Sequence, residues 1–161
     1  MPRIDVPDDL GGWMALRPDM APGLVALSDA VYGKSRLPVR EQEIARMRIA
    51  LANQCEVCRN ARHADGAAAG IDDAFYQAVP QWRSTGLFSA RERLAAEYAE
   101  RYALDHVGLR ADDDFWKRMR AQFRDEEIVD LALCCTLWLG AGRTMRLLDV
   151  GQSCSLTLRR S

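Results

Sequence analysis

Cys55 and Cys58, in the run Cys55-Glu56-Val57-Cys58, are the residues whose types and spacing could do chemistry. Two thiols at i and i+3 share a face when the second opens a helix, and they can then close into a reversible disulfide. A thiol in the first turn of a helix also meets unpaired N–H groups and the positive end of the helix dipole. Both favour the thiolate, which is the reacting form. Glu43 precedes Cys55 with eleven residues between them, and Arg62 and His63 follow Cys58 closely.

These groups can meet only if two helices bring them together. Val39 to Ala52 reads as a well-buried helix, with Ile44, Met47 and Leu51 on one face and Ala45, Ile49 and Ala52 widening it. It stops near Asn53-Gln54, and a third helix is expected from Cys55 through the Ala-rich segment to Gly70, a left-handed cap. If that helix returns antiparallel, Glu43 lies roughly 15 Å below the turn at ~1.5 Å per residue, level with residues 62 to 65. Position 62 is i+4 from Cys58 and shares its face, so Cys58, residue 62 and Glu43 can form a line. A nucleophile, a middle group and an orienting carboxylate is the arrangement of an activated thiol.

The remaining elements are also helical. Pro22 to Tyr32 carries Leu24, Val25, Leu27 and Val31 at helical spacing, with Pro22 in the first turn and Gly33 at the end. Asp72 or Asp73 can cap a short helix ending at Pro80, and Ser89-Ala90-Arg91-Glu92 fits a capping box opening a helix over about 89–104. Asp112 to Phe123 is acidic at its start and basic toward its end, as the dipole prefers, and Asp125 opens the last helix. From Ile128 to Ala141 this helix is apolar almost all round, which marks it as central or shared with a partner subunit; it is too short for a membrane span and contains Asp130. The expectation is an all-α protein of about seven helices: an N-terminal arm over 1–20, one helical domain over 21–150 and a C-terminal tail over 151–161.

At 161 residues with a net charge of −1, the chain can bury a substantial core and shows no cluster of positive charge for nucleic acid or membrane. The N-terminal run MPRIDVPDDLGGW lacks the apolar core of a signal peptide, so the cytoplasm is the expected compartment. In that reducing setting a Cys-x-x-Cys points to redox or metal chemistry rather than a structural disulfide.

The pattern of Glu43, eleven residues, Cys55-x-x-Cys58 and a following helix resembles the alkylhydroperoxidase D and carboxymuconolactone decarboxylase family. GLFSARERLAAEYAERYA and FRDEEIVDLALCCTLWLGAGR resemble that family's later helices, so the likeness covers about residues 20–150. The resemblance implies an all-helical homo-oligomer and, in the Cys-x-x-Cys branch, a thiol peroxidase acting on hydrogen peroxide or organic hydroperoxides. An external dithiol reductant, protein or small molecule, would restore it, and no cofactor is implied. Cys58 would be the more reactive thiol, Cys55 its resolving partner and Glu43 part of a proton relay. The family's relay histidine falls at Arg62 here, with His63 one position later. Either a local bulge swings His63 onto the Cys58 face, or Arg62 holds the Cys58 thiolate and pairs with Glu43; the second is the expectation adopted.

Plainer readings stand beside these. Cys55 and Cys58 could supply half a zinc site, but His63, His106, Cys154 and Cys134-Cys135 offer no second ligand pair at finger spacing, or they could be inert buried thiols. Glu43 could be an exposed carboxylate pairing with Arg46 or Arg40, and His63 a surface or capping residue. Cys134 and Cys135 read as core, Cys154 as part of a mobile tail, His106 as a loop residue without a role, and Asp112-Asp113-Asp114 as a helix cap. Gly140-Ala141-Gly142 follows no strand and means nothing for nucleotides. A non-catalytic or redox-sensing oligomer, or a decarboxylase, are the competing functions.

Overall fold

Ser89 accepts a hydrogen bond from Glu92 N while Glu92 takes Ser89 N, and this capping box opens a helix over Ala90–Leu104, α6 in chain order. The computed structural model describes residues 1–159. Before α6 come α1 (Gly12–Ala15), α2 (Ala21–Lys34), α3 (Val39–Asn53), α4 (Glu56–Asn60), β1 (Arg62–His63) and α5 (Asp73–Ala78), the last followed by a 3₁₀ turn over Val79–Gln81. After it come α7 (His106–Ala111), α8 (Asp113–Gln122), α9 (Asp125–Leu148) and β2 (Thr157–Leu158). Among the described residues the protein is all-α apart from one parallel pair of two-residue strands, in which Arg62 pairs with Thr157 and His63 with Leu158.

α3 is the axis of the core, packed mainly on α6 and α9, while α2 lies on α9. It is buried almost all round, so Glu41, Glu43 and Arg46 are buried along with Ile44, Ala45, Met47 and Ile49. A helix in that position must pair its charges internally, because leaving one uncompensated costs several kcal/mol. Arg91 of α6 accordingly reaches Glu41 at 2.7 Å. Phe75, Phe88, Tyr98, Phe115 and Trp116 contribute edge-on and stacked ring contacts around the same core.

α9 starts at Asp125, as expected, and runs through Leu148, seven residues past the end of its apolar stretch at Ala141. With 24 residues it is long and apolar enough to cross a membrane, contrary to the expectation that it is too short for one. Its Leu131, Cys134, Cys135, Leu137 and Trp138, however, are buried in the core shared with α3 and α6, which makes it a core helix. His106 lies in the first turn of α7, not in a loop, because Asp105 accepts from Gly108 N and starts a new helix. Asp72 and Asp112 cap α5 and α8 by accepting from Phe75 N and Phe115 N.

The largest departure from expectation follows Cys58. The helix expected to reach Gly70 ends at Asn60; Ala61 is extended, and residues 64 to 70 form tight turns ending at Gly70, whose φ of 68° is left-handed. Alanine-rich sequence favours helix only weakly, and a five-residue helix cannot sustain itself. Here the C-terminal segment offers Arg62 N and Ala64 N the carbonyls of Leu156 and Leu158, at 3.2 and 2.7 Å. The segment expected to be a mobile tail is therefore paired into the fold through Leu158, and residues 160 and 161 of that expected tail lie outside the described residues.

Candidate redox site

Gln54, with φ 53°, reverses the chain after α3, and Cys55 leaves it extended as the N-cap of α4. Cys58 thus falls in the first turn of α4, and the two sulfurs are joined as a disulfide with Cα atoms 5.2 Å apart. Their access differs. Cys55 is wholly buried, whereas Cys58 is half-buried and lines a cavity of about 330 Å³ together with Tyr32, Arg46, Trp138, Gly142 and Leu156.

Arg46 organises the floor of that cavity. Its Nε and Nη2 donate to the two carboxylate oxygens of Glu43 at 2.6 and 2.9 Å, Nη1 donates to the Cys58 carbonyl, and Nη2 also reaches the Ala61 carbonyl at 3.1 Å. One guanidinium therefore neutralises the buried carboxylate and holds the carbonyls of Cys58 and Ala61 at the end of α4. The Tyr76 hydroxyl donates to the same carboxylate at 2.7 Å. Burial pushes the Glu43 carboxyl up, but the Arg46 charge and the hydrogen bonds from Arg46 and Tyr76 outweigh it, and the group is held below its ordinary range. Burial likewise works against the Arg46 cation and Glu43 overcomes it, so Arg46 stays charged. The plain reading of Glu43 as a partner of Arg46 holds for the pairing, although the carboxylate is buried and not exposed.

Arg62 does not make the expected pair with Glu43. Because α4 stops at Asn60 and Ala61 is extended, position 62 is turned outward, where the guanidinium lies 4.0 Å over the Tyr76 ring and donates to the Arg59 and Ala61 carbonyls. Alternation along β1 sends the next side chain the other way. His63 is accordingly buried, and its Nδ1 accepts from Asp65 N at 3.1 Å. The inward turn of His63 comes from extended backbone, not from a bulge in a helix.

Three parts of the site have roles that the sequence reading does not assign. Arg46 leaves a readable signal, an acid and a base three apart on one helix, but its reach to the Cys58 carbonyl depends on tertiary geometry. The C-terminal segment brackets α4: the Gln152 side chain accepts from Glu56 N at 2.9 Å, and β2 pairs with β1 just beyond the helix. Gly142 of α9 leaves the space that Asn53 and the Cys58 sulfur fill. A Cβ there would stand 2.9 Å from Asn53 Nδ2 and 3.2 Å from Cys58 Sγ. Asn53 is not free to withdraw, since its amide holds the Trp138 and Leu139 carbonyls and accepts from Arg143. Gly142→Ala is therefore expected to cost about 1–3 kcal/mol of overpacking, more than the roughly 1 kcal/mol gained in helix propensity. A denaturant midpoint equal to or above that of the parent protein would count against this.

Burial pushes the Cys134 thiol up to about 12 and the Cys135 thiol well above its ordinary value, which keeps both as uncharged core groups. Among the described residues, no three His, Cys, Asp or Glu side chains converge as a metal site.

Residues 18–101, from the start of α2 through most of α6, match the model of the carboxymuconolactone decarboxylase family. The chain belongs to that family. Glu43, Arg46, Cys55, Cys58 and His63 all lie inside the match, while Gly142 and the C-terminal segment lie beyond it. A crystal structure of a protein of unknown function from Agrobacterium tumefaciens, provisionally described as the antioxidant defence protein AhpD, is similar over 92% of this chain and 96% of that chain, with 20% identity and a TM-score of 0.75. At that identity the likeness is one of fold, and it places the AhpD-like helical arrangement around a family member that carries Cys-x-x-Cys. Among curated proteins, none matches the chain.

Proposed function

We propose that this family member is a thiol-dependent peroxidase working through a Cys55/Cys58 dithiol–disulfide cycle. The observation that carries the reading is the asymmetry of the joined pair: Cys58 borders a cavity beside the Arg46 guanidinium, and Cys55 is sealed behind it. In the reduced protein the cation and the first turn of α4 favour the Cys58 thiolate. The thiolate attacks the distal oxygen of a hydroperoxide; the S–O bond forms, the O–O bond breaks, and an alkoxide or hydroxide leaves and takes up a proton. Cys55 then attacks the sulfenic sulfur, water departs and the disulfide closes. An external dithiol, available in a reducing compartment such as the cytoplasm, returns both thiols and leaves as its own disulfide.

Cys58→Ser is expected to abolish consumption of cumene hydroperoxide in the presence of dithiothreitol. Rapid quenching of the unsubstituted reduced protein with an alkylating agent should show Cys55 and Cys58 lost together to one disulfide, with Cys134 and Cys135 alkylated only after unfolding. Unchanged peroxide consumption by the Ser variant would sink the assignment.

A further inference from the structure

Peroxide cleavage requires a proton for the departing alkoxide, and the groups expected to relay it are committed elsewhere. Glu43 is held ionised by Arg46 and Tyr76. Arg62 lies outside, over the Tyr76 ring. His63 is buried and is not part of the cavity wall. Arg46 shares the cavity, but its guanidinium binds Glu43 and the carbonyls of Cys58 and Ala61, and it holds its protons too tightly to give one up.

Tyr32, on α2, lines the cavity together with Cys58 and Arg46. Its phenolic oxygen accepts a hydrogen bond from Trp138 Nε1 at 3.1 Å. That bond uses a lone pair and fixes the oxygen while leaving the hydroxyl proton to be given elsewhere. Among the described residues Tyr32 donates to no acceptor. We infer that Tyr32 is the catalytic acid of this site, donating its hydroxyl proton to the alkoxide that leaves when Cys58 attacks a hydroperoxide bound in the cavity. The inference rests on the peroxidase reading above.

The step balances. The Cys58 thiolate takes the distal OH of the hydroperoxide to become a sulfenic acid, the O–O electron pair goes to the proximal oxygen, and that oxygen receives the Tyr32 proton and leaves as the alcohol. The tyrosinate recovers a proton from solvent, which equals the one lost when the Cys58 thiol ionised. Burial pushes the Tyr32 hydroxyl up to about 12, with the Arg46 charge pulling the other way. The phenol is therefore protonated at neutral pH yet remains a far stronger acid than water at ~15.7. The same Arg46 charge stabilises the tyrosinate left behind.

Tyr32→Phe keeps the ring and removes only the hydroxyl. Reduced parent and variant proteins would be mixed with cumene hydroperoxide, with peroxyacetic acid and with iodoacetamide, and loss of the Cys58 thiol followed over time. The carboxylate leaving from a peracid and the iodide leaving from iodoacetamide need no proton. The variant should therefore react at least about 100-fold more slowly with cumene hydroperoxide, in line with the contribution of a positioned acid, and within about threefold of the parent with the other two. Equal slowing with all three reagents would mean that the substitution disturbs the thiol and would overturn the inference. No slowing with cumene hydroperoxide would overturn it as well, while leaving the peroxidase reading intact. A parent protein whose Cys58 resists cumene hydroperoxide but reacts with iodoacetamide would remove that reading and this one together.

Discussion

Arg46→Met should destabilise the protein by about 3–5 kcal/mol at neutral pH, the cost of leaving a buried carboxylate without its cation. Glu43 is almost wholly buried, and of its two partners only Arg46 is charged. The substitution also frees the Cys58 and Ala61 carbonyls at the end of α4, so the loss should reach the redox helix and not only α3. Adding Glu43→Gln should recover much of the loss, because a pair replaced by neutral groups no longer strands a charge. Urea unfolding of the single and double variants measures both quantities; a single variant within about 1 kcal/mol of the parent would refute the argument. The pH dependence carries a second signature. In the parent, the lowered Glu43 pKa contributes stability that is fully present above the ordinary carboxyl value of 4.5 and lost as pH falls through the folded-state value. In Arg46→Met, burial, the largest single influence on Glu43, is opposed chiefly by the Tyr76 hydrogen bond and should raise the Glu43 pKa, so stability should fall as pH rises past the ordinary value, and acid should partly rescue the variant.

The same pair shows where the sequence stops being informative. Periodicity and caps are local, which is why α3, the Ser89 capping box, the Asp72 and Asp112 caps and the Asp125 start of α9 are all readable from the residues themselves. The route of the chain after Cys58 is decided by partners far away in sequence. Leu156 and Leu158 supply carbonyls about a hundred residues downstream of β1, and two-residue strands leave no alternation to detect. That one element moves the site. On a continuous helix, position 62 would face Glu43; on extended backbone, Arg62 faces solvent and His63 the interior. The Cys pair and Glu43 are legible because their chemistry and spacing are local, whereas Gly142 and Tyr32 reach the site only because α9 packs on α3 and α2 packs on α9. No periodic pattern distinguishes a glycine that makes room for a sulfur from any other small residue in an apolar helix.

Cys55→Ser tests the other asymmetry of the site, and its expected outcome is a single oxidation that stops at the sulfenic acid. The serine fits the N-cap position of α4 at least as well as cysteine, since a hydroxyl caps helices readily, so the fold around Cys58 should persist. Cys58 still borders the cavity and can still be oxidised, but the sulfenic acid has lost its resolving thiol. Cys134 and Cys135 cannot substitute, because both are buried and burial keeps their thiols protonated. With no dithiothreitol present, the reduced variant should consume about one equivalent of cumene hydroperoxide per chain and then stop. The modified Cys58 should be trapped by dimedone, a carbon nucleophile selective for sulfenic acids, and identified by mass spectrometry. Cys58→Ser should give no burst and no dimedone adduct, because Cys55 is sealed from the cavity. A burst in Cys58→Ser and none in Cys55→Ser would exchange the two roles. Rapid formation of a disulfide between Cys58 and half-buried Cys154, of the segment that flanks α4, in place of the dimedone adduct would show that the buried thiol is not needed as the resolving group.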